Sequence, residues 1–145
     1  MTLETWLVEH DFPATDVNFP SANGITPLMR AAKECAAPII AELLAQGADV
    51  HLTNTDGNTA LWLACVGENT AIIDMLVDHG SRIDHQNDNG ATCLMYAAST
   101  GKHVVAAKLL ERGADPQLQS LDGLSALDMA STIECLNVLR GRKVA

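Results

Sequence analysis

The chain has 145 residues and 48% of them are apolar, which suits one folded domain with its own core and excludes a disordered chain. Only two Trp, two Phe and one Tyr are present, so Leu, Ile, Val and Ala must build that core, which favours closely packed helices over a sheet-rich barrel. The formal net charge of −9 excludes nucleic acid as a partner, because binding to phosphates depends on Lys and Arg, and it favours a protein with a basic surface.

The sequence shows no sign of a membrane span or a secretory leader. No segment approaches the roughly 18 consecutive apolar residues of a spanning helix, and the first residues, MTLETWLVEH, carry two glutamates instead of a basic region. We therefore expect a cytoplasmic protein whose thiols stay reduced, since Cys35, Cys65, Cys93 and Cys135 form no CxxC pair. The basic run of Arg140, Arg142 and Lys143 is interpreted as a solvated tail.

A unit of 33 residues repeats through the sequence. Two series of glycines keep this spacing: Gly24, Gly57, Gly90 and Gly123, and then Gly47, Gly80 and Gly113. Four segments align without a gap: NGITPLMRAA, DGNTALWLAC, NGATCLMYAA and DGLSALDMAS. Two positions in them are constant: Leu28, Leu61, Leu94 and Leu127 at one, and Ala31, Ala64, Ala97 and Ala130 at the other. Such a period predicts stacked units that bury their apolar faces against one another.

Each unit begins with a turn and a short helix. An Asn or Asp precedes each glycine of the first series, and glycine supplies the positive φ that a tight turn needs. The predicted helix N-caps are Thr26, Thr59, Thr92 and Ser125. Pro27 then occupies the first helical position, where its missing N–H is harmless.

A second helix follows in each unit. Its apolar residues recur at i and i+4 and define one face: Ile39-Ile40 with Leu43-Leu44, Ile72-Ile73 with Leu76-Val77, and Val105 with Leu109-Leu110. The helix ends at Gly47, Gly80 or Gly113, the residue expected for a left-handed C-terminal cap. Because helices of roughly eight to ten residues are marginal alone, each unit must pack on the next.

The units resemble ankyrin repeats. The segments TPLMRAA, TALWLAC, TCLMYAA and SALDMAS match the signature T-P-L-H-x-A, and QGADV, HGSRI and RGADP match the ending G-A-D-V. The resemblance implies an all-α solenoid of helix-turn-helix repeats joined by β-turn loops. Met29, Trp62, Met95 and Asp128 replace the signature histidine, so its hydrogen bond to the turn should be absent and the turns less rigid.

The resemblance covers nearly the whole chain as a single domain, 1–145. We assign a half-repeat cap to 1–20, in which Leu7-Val8 stand for a helix end, and repeats to 21–53, 54–86, 87–119 and 120–145. The fourth repeat is about three residues shorter between its helices, which places Cys135, Leu136 and Leu139 on the face of its second helix. Both ends are expected to cap the core.

The resemblance also implies where a partner binds, because the turn tips and first helices of ankyrin-repeat proteins line a concave groove. The predicted contact residues have Trp62 at their centre: Met29, Thr55, Asp56, Asn58, Trp62, Val66, Asp88, Asn89, Ala91, Met95 and Ser99. This predicts a non-catalytic protein-interaction module, monomeric alone and without a cofactor, whose acidic tips attract a basic rim on the partner. The alternative for Trp62, Met29 and Met95 is packing between repeats in the space of the missing histidines. Arg30, Leu63, Tyr96 and Met129 lie one position further on, where Leu is usual and buried, so the ring of Tyr96 is expected to pack inside and leave its hydroxyl at the edge.

Two cysteines keep another class of function open. Cys65 shares the position of Ala32 and Ala98, where helices meet, and is interpreted as a buried substitute for alanine. Cys93 lies in a first helical turn, where the helix N-terminus could activate its thiol. A redox or enzymatic role through Cys93 or Cys65 is thus the alternative, with small-ligand binding as a third possibility. The histidines, such as His79 and His85, have no metal-site spacing, and no catalytic residue or metal ligand is assigned.

Overall fold

The computed structural model describes residues 1–141, and its elements there are all helical. A 3₁₀ turn at Ala22–Gly24 accompanies the α-helices, which are α1 (Leu3–Glu9), α2 (Pro27–Lys33), α3 (Ala37–Ala45), α4 (Ala60–Gly67), α5 (Thr70–Asp78), α6 (Cys93–Ser99), α7 (His103–Glu111), α8 (Ala126–Met129) and α9 (Ile133–Leu139). Over 1–141, no helix has the length and apolar character needed to cross a bilayer. Arg140 is exposed after α9, whereas Arg142 and Lys143 of the predicted basic tail lie outside the described residues.

The helices stack in two layers. The inner layer consists of α2, α4, α6 and α8, and each of these helices contacts the next. The outer layer contains α5, α7 and α9, which also contact one another in chain order, together with α1 and α3. Within each pair, the inner helix also contacts the outer helix that follows it. The stacked units predicted from the 33-residue period and the all-α solenoid implied by the resemblance are therefore confirmed.

The helix ends follow the predicted local chemistry. Thr26, Thr92 and Ser125 are N-caps, each accepting a hydrogen bond from the backbone N–H three residues later. Thr59 holds the same position without such a bond. The first three full repeats end their outer helices just before Gly47, Gly80 and Gly113, whose φ angles are 88° to 95°. Glycine is favoured there because this conformation is strained for a residue with a side chain.

The core lies between the layers and is closed at its N-terminal end by α1. The constant leucines of the first three repeats are between 0% and 1% exposed: Leu28, Leu61 and Leu94. The alanines beside them are equally buried, which lets the layers approach closely. At the N-terminal end, Trp6, Leu7 and Phe12 bury their side chains and cover the first repeat.

The C-terminal repeat packs on the third repeat, but its own apolar residues are less enclosed than those of the repeats before it. Leu127, the counterpart of Leu94, is 38% exposed, and Leu121 and Ile133 are 79% and 61% exposed. Cys135 is buried as predicted, but Leu136 and Leu139 are only half-buried. The physical reason is the absence, within residues 1–141, of a further helix pair over α8 and α9.

The constant leucine position offers a matched pair of substitutions. We expect Leu94→Ala to lower the free energy of unfolding by about 2–5 kcal/mol, because it leaves a cavity in a closed core. Leu127→Ala should cost less than about 1 kcal/mol, because water already reaches that side chain. Urea unfolding followed by circular dichroism measures both, and equal losses would show that the terminal repeat is as closed as the third.

Ion pairs join the outer helices of the second and third repeats. Lys108 Nζ donates to Asp74 Oδ2 at 3.0 Å, and Arg112 donates from Nη1 to Asp74 at 3.1 Å and from Nη2 to Asp78 at 2.6 Å. The hydrogen bond from Lys108, with further help from Arg112, lowers the pKa of Asp74 although partial burial opposes the shift. The carboxylate of Asp74 therefore binds α5 to α7 only while it is ionised.

This network predicts how stability depends on pH. The pKa of Asp74 is lower in the folded chain than its ordinary value of 3.8, so the ion pairs stabilise the fold above that value and are lost as pH falls through the folded pKa. We expect Asp74→Asn to reduce the loss of stability on acidification from about pH 5 to about pH 2. Urea unfolding at stepped pH tests this, with the exposed Asp122→Asn as control; parallel profiles for wild type and Asp74→Asn would contradict it.

Candidate functional site

The candidate site is the inner-helix surface, by which we mean the exposed face of α2, α4, α6 and α8 together with the hairpin tips that precede them. The four tips lie around residues 22–24, 55–57, 88–90 and 121–123. This definition leaves out the outer layer, where ion pairs between α5 and α7 and packing between α7 and α9 join the repeats.

Backbone hydrogen bonds connect each hairpin tip to the next. The N–H groups of Thr55, Asp88 and Leu121 donate to the carbonyls of Asn23, Asp56 and Asn89, at 3.0, 3.1 and 3.0 Å respectively. The tips thus form a continuous edge with a fixed spacing. A partner meeting this edge would find its side chains already ordered.

Asparagine side chains hold the tips from within. Asn54 Oδ1 accepts from the N–H groups of Asp56 and Asn58, and Asn87 Oδ1 accepts from those of Asn89 and Ala91, all at 3.0 Å. These Asx turns order the second and third tips, so looser turns do not follow there from the missing histidines. The sequence analysis missed both residues, although Asn54 and Asn87 are themselves 33 positions apart.

Two residues of the predicted apolar centre are not exposed. Met29 and Met95 are each 1% exposed, so the prediction that they contact a partner is wrong. Both follow their N-cap by three residues, where helical geometry tilts a side chain back toward the helix N-terminus. The sulfur of Met95 lies 3.4 Å from the backbone N of Thr92 and accepts its hydrogen bond. The methionines therefore occupy the place of the histidine in the interior, as the alternative interpretation proposed.

Trp62 shares that position but reaches the surface. An indole is larger than a methionine side chain, and its ring remains half-buried with its centroid 4.9 Å from that of Tyr96, at an angle of 48°. Lys102 Nζ lies 5.8 Å from the centre of the Tyr96 ring and forms an ion pair with Glu68 at 3.4 Å. The result is an aromatic pair that joins α4 to α6 and leaves part of both rings accessible to solvent.

The other predicted contact residues fall into two groups. Asn58 is buried, and its Oδ1 accepts from Asn87 Nδ2 at 2.9 Å, which makes its role structural and the contact predicted for it wrong. Val66 and Ala91 are half-buried on the surface. The exposed residues of the prediction are Thr55, Asp56, Asp88, Asn89 and Ser99. For the accessible residues, contact with a partner remains a prediction.

The position after the missing histidine is only partly enclosed, and at this position the ring of Tyr96 packs against Trp62. It carries the exposed Arg30 and the half-buried Leu63, Tyr96 and Met129 on successive inner helices. A signal for the exposure of Arg30 was present in the sequence, because a charged guanidinium is costly to bury in a core. These side chains form a row across the repeats next to Trp62.

A cavity of about 670 Å³ opens at the N-terminal end of this row. It lies between α2 and α4 and is lined by Ile25, Met29, Arg30, Lys33, Glu34 and Leu63. Arg30 Nε donates to Glu34 Oε2 at 2.6 Å, and His10 Nε2 lies 2.9 Å from Glu34 Oε1. Burial acts to raise the pKa of Glu34, but the hydrogen bonds from Arg30 and His10 outweigh it and lower that pKa, which favours the carboxylate.

The cysteines are free thiols, and the two with a proposed reactive role are buried. A hydrogen bond with the neighbouring Cys93 and burial together raise the pKa of Cys65 well above its ordinary value, so its thiol is a poor nucleophile. The two named histidines contact backbone carbonyls, with His79 Nδ1 and His85 Nε2 each 2.8 Å from an oxygen. Among residues 1–141, no cluster of three or more potential metal ligands occurs.

A family model described as ankyrin repeats (3 copies) matches residues 28–120, more than half of the chain. No curated protein matches it significantly.

The connected tips provide a test with a matched control. Gly57 and Gly123 have φ of 79° and 76°, but a Cβ on Gly57 would lie 2.8 Å from the backbone N of Asp88, whereas one on Gly123 meets nothing within 4 Å. Gly123→Ala should cost about 1–2 kcal/mol for its left-handed conformation. Gly57→Ala should cost clearly more, because it also separates two tips. Chemical unfolding measures both, and equal losses would mean that the tips adjust independently.

Proposed function

The chain belongs to the ankyrin-repeat family, whose repeats are generally protein–protein interaction modules, and we propose that it is a non-catalytic adaptor or regulator that binds a partner protein through its inner-helix surface. In this proposal the inner-helix surface is the concave groove of the solenoid. The tips and inner helices present side chains, while the outer layer keeps the repeats in register.

The observation that carries the proposal is the half-exposed aromatic pair of Trp62 and Tyr96. Aromatic residues are enriched at the centres of binding surfaces, where they bury large areas at a low cost in side-chain entropy. Leu63 and Val66 lie on the same helix as Trp62 and are also half-buried, which extends the apolar area. Such a centre favours a partner that inserts apolar side chains between neighbouring repeats.

Charge along the tips supports a basic rim on the partner. Three carboxylates, Asp56, Asp88 and Asp122, lie exposed on successive tips of a chain whose formal charge is −9. Surface carboxylates of this kind accelerate association with positively charged surfaces and select among partners more than they strengthen binding. We therefore propose that the apolar centre supplies affinity and the acidic tips orient the partner.

The rival function, thiol chemistry, has less support. Cys65 and Cys93 are both buried, and the raised pKa of Cys65 keeps its thiol protonated at neutral pH. A reactive cysteine needs solvent access and a lowered pKa. For small-ligand binding, the cavity at Arg30 is one of several open cavities on the described residues, and the charge of its lining also suits a group of a protein partner.

The proposal predicts that Trp62 contributes strongly to binding. Trp62→Ala should weaken partner binding by about 2 kcal/mol or more, because it removes the centre of the contact area. Val104→Ala is the control: this side chain is 60% exposed on the outer helix α7, and its loss should change binding by less than about 0.5 kcal/mol. The partner is first recovered by affinity capture from the native host and purified. Circular dichroism confirms that both variants fold, and calorimetric titration then compares their affinities for the partner. Equal affinities for both would contradict the proposal.

A further inference from the structure

We infer that the cavity at Arg30 and Lys33 receives an acidic residue of the partner together with an adjacent aliphatic residue. The inference rests on the proposed function and adds the chemistry of the segment that is bound. It also means that the inner-helix surface carries both signs of charge, because its tips are acidic whereas its N-terminal end, at Arg30 and Lys33, is basic.

Arg30 is oriented for such a contact. Its Nε is bonded to Glu34 Oε2, while its terminal nitrogens have no hydrogen-bond partner within residues 1–141. Glu34 is in turn held by His10, whose ring stacks on Trp6 with centroids 4.0 Å apart and whose Nδ1 lies 2.8 Å from the Trp6 carbonyl oxygen. The N-terminal helix thus fixes the guanidinium before binding, which lowers the entropic cost of forming a hydrogen bond with a carboxylate.

Lys33 adds a second cation on the same face of α2, three residues after Arg30. It is exposed and forms no ion pair in the described part of the chain, whereas Lys102, Lys108 and Arg112 all do. Only one carboxylate, Glu34, lines the cavity beside the two cations. The cavity is therefore locally positive on an acidic protein, and charge complementarity favours an anionic group there.

The other residues that line the cavity indicate which anionic group binds there and what lies next to it. Ile25 and Leu63 are half-buried walls, which suit an aliphatic side chain next to the carboxylate. A volume of about 670 Å³ is sufficient for a few side chains of a peptide. Glu34 would repel the second charge of a phosphate group, so a single carboxylate is favoured. We therefore identify the occupant as a partner segment in which Asp or Glu adjoins Leu, Ile or Val.

Peptide selection tests the inference without knowledge of the natural partner. A library of random peptides displayed on phage is selected against the wild-type chain, against Lys33→Glu and against Arg82→Glu. The control reverses the same charge on an exposed residue that does not line the cavity. Wild type and Arg82→Glu should enrich an acidic residue next to an aliphatic one, whereas Lys33→Glu should lose this preference and favour Lys or Arg.

A double-mutant cycle on one selected peptide measures the strength of the interaction between Lys33 and the acidic residue of the peptide. Lys33→Glu should weaken binding of the acidic peptide by about tenfold, and it should have little effect on the peptide in which the acid is replaced by its amide. Fluorescence polarisation of the labelled peptides measures the four affinities.

The outcomes separate the two proposals. Peptides without an acidic preference, or a cycle without coupling, would overturn the inference; if their binding still depended on Trp62, the proposed function would stand. Failure to select any peptide, or selected peptides that bind Trp62→Ala as well as wild type, would contradict the proposed function itself.

Discussion

The structure depends on the burial of one repeat's Leu and Ala face by the next repeat. Within residues 1–141 no helix is longer than nine residues, and helices of this length are too short to be stable alone in water, so each acquires its stability from its neighbours. The constant leucine is enclosed in the three repeats that another described helix pair follows, whereas Leu127 in the last described repeat is 38% exposed. Stability is thus a property of adjacent pairs, and it declines toward the C-terminal end of the described residues.

The interactions that join the repeats leave the exposed side chains of the inner helices available for other contacts. The alanines bring the layers together, the Asx turns and backbone bonds fix the tips, and the Asp74, Lys108 and Arg112 network joins the outer helices. None of these interactions needs the side chains that face outward from the inner helices. Those positions therefore vary between repeats, from Arg30 to Leu63 to Tyr96, while the core positions stay constant.

Because of this variation, the chemistry of the inner-helix surface changes from its N-terminal end to its middle and its tips. Its N-terminal end has two exposed cations, of which Arg30 is held through Glu34 and His10. Its middle has the Trp62 and Tyr96 pair, and its tips carry carboxylates. Because each feature is fixed on a different repeat, their mutual distances follow from the repeat spacing rather than from flexible loops. A partner that meets all three must present charge of both signs around an apolar segment, which limits the range of proteins that fit.

The sequence by itself determined the fold, because the period, the turn glycines, the N-caps and the i, i+4 faces are local features that repeat three or four times. It did not determine which side chains on the first helix reach solvent. A difference of one position separates the buried Met29 and Met95 from the exposed Arg30, and the direction of those side chains depends on the helix start and on how closely the neighbouring repeat approaches. Only the tertiary structure decided that Trp62 would be half-buried against Tyr96, that Asn58 would be enclosed by its bond to Asn87, and that Leu127 would remain exposed. Each of these outcomes depends on contacts between residues about 30 positions apart or on their absence, and the pattern of a single repeat does not specify them.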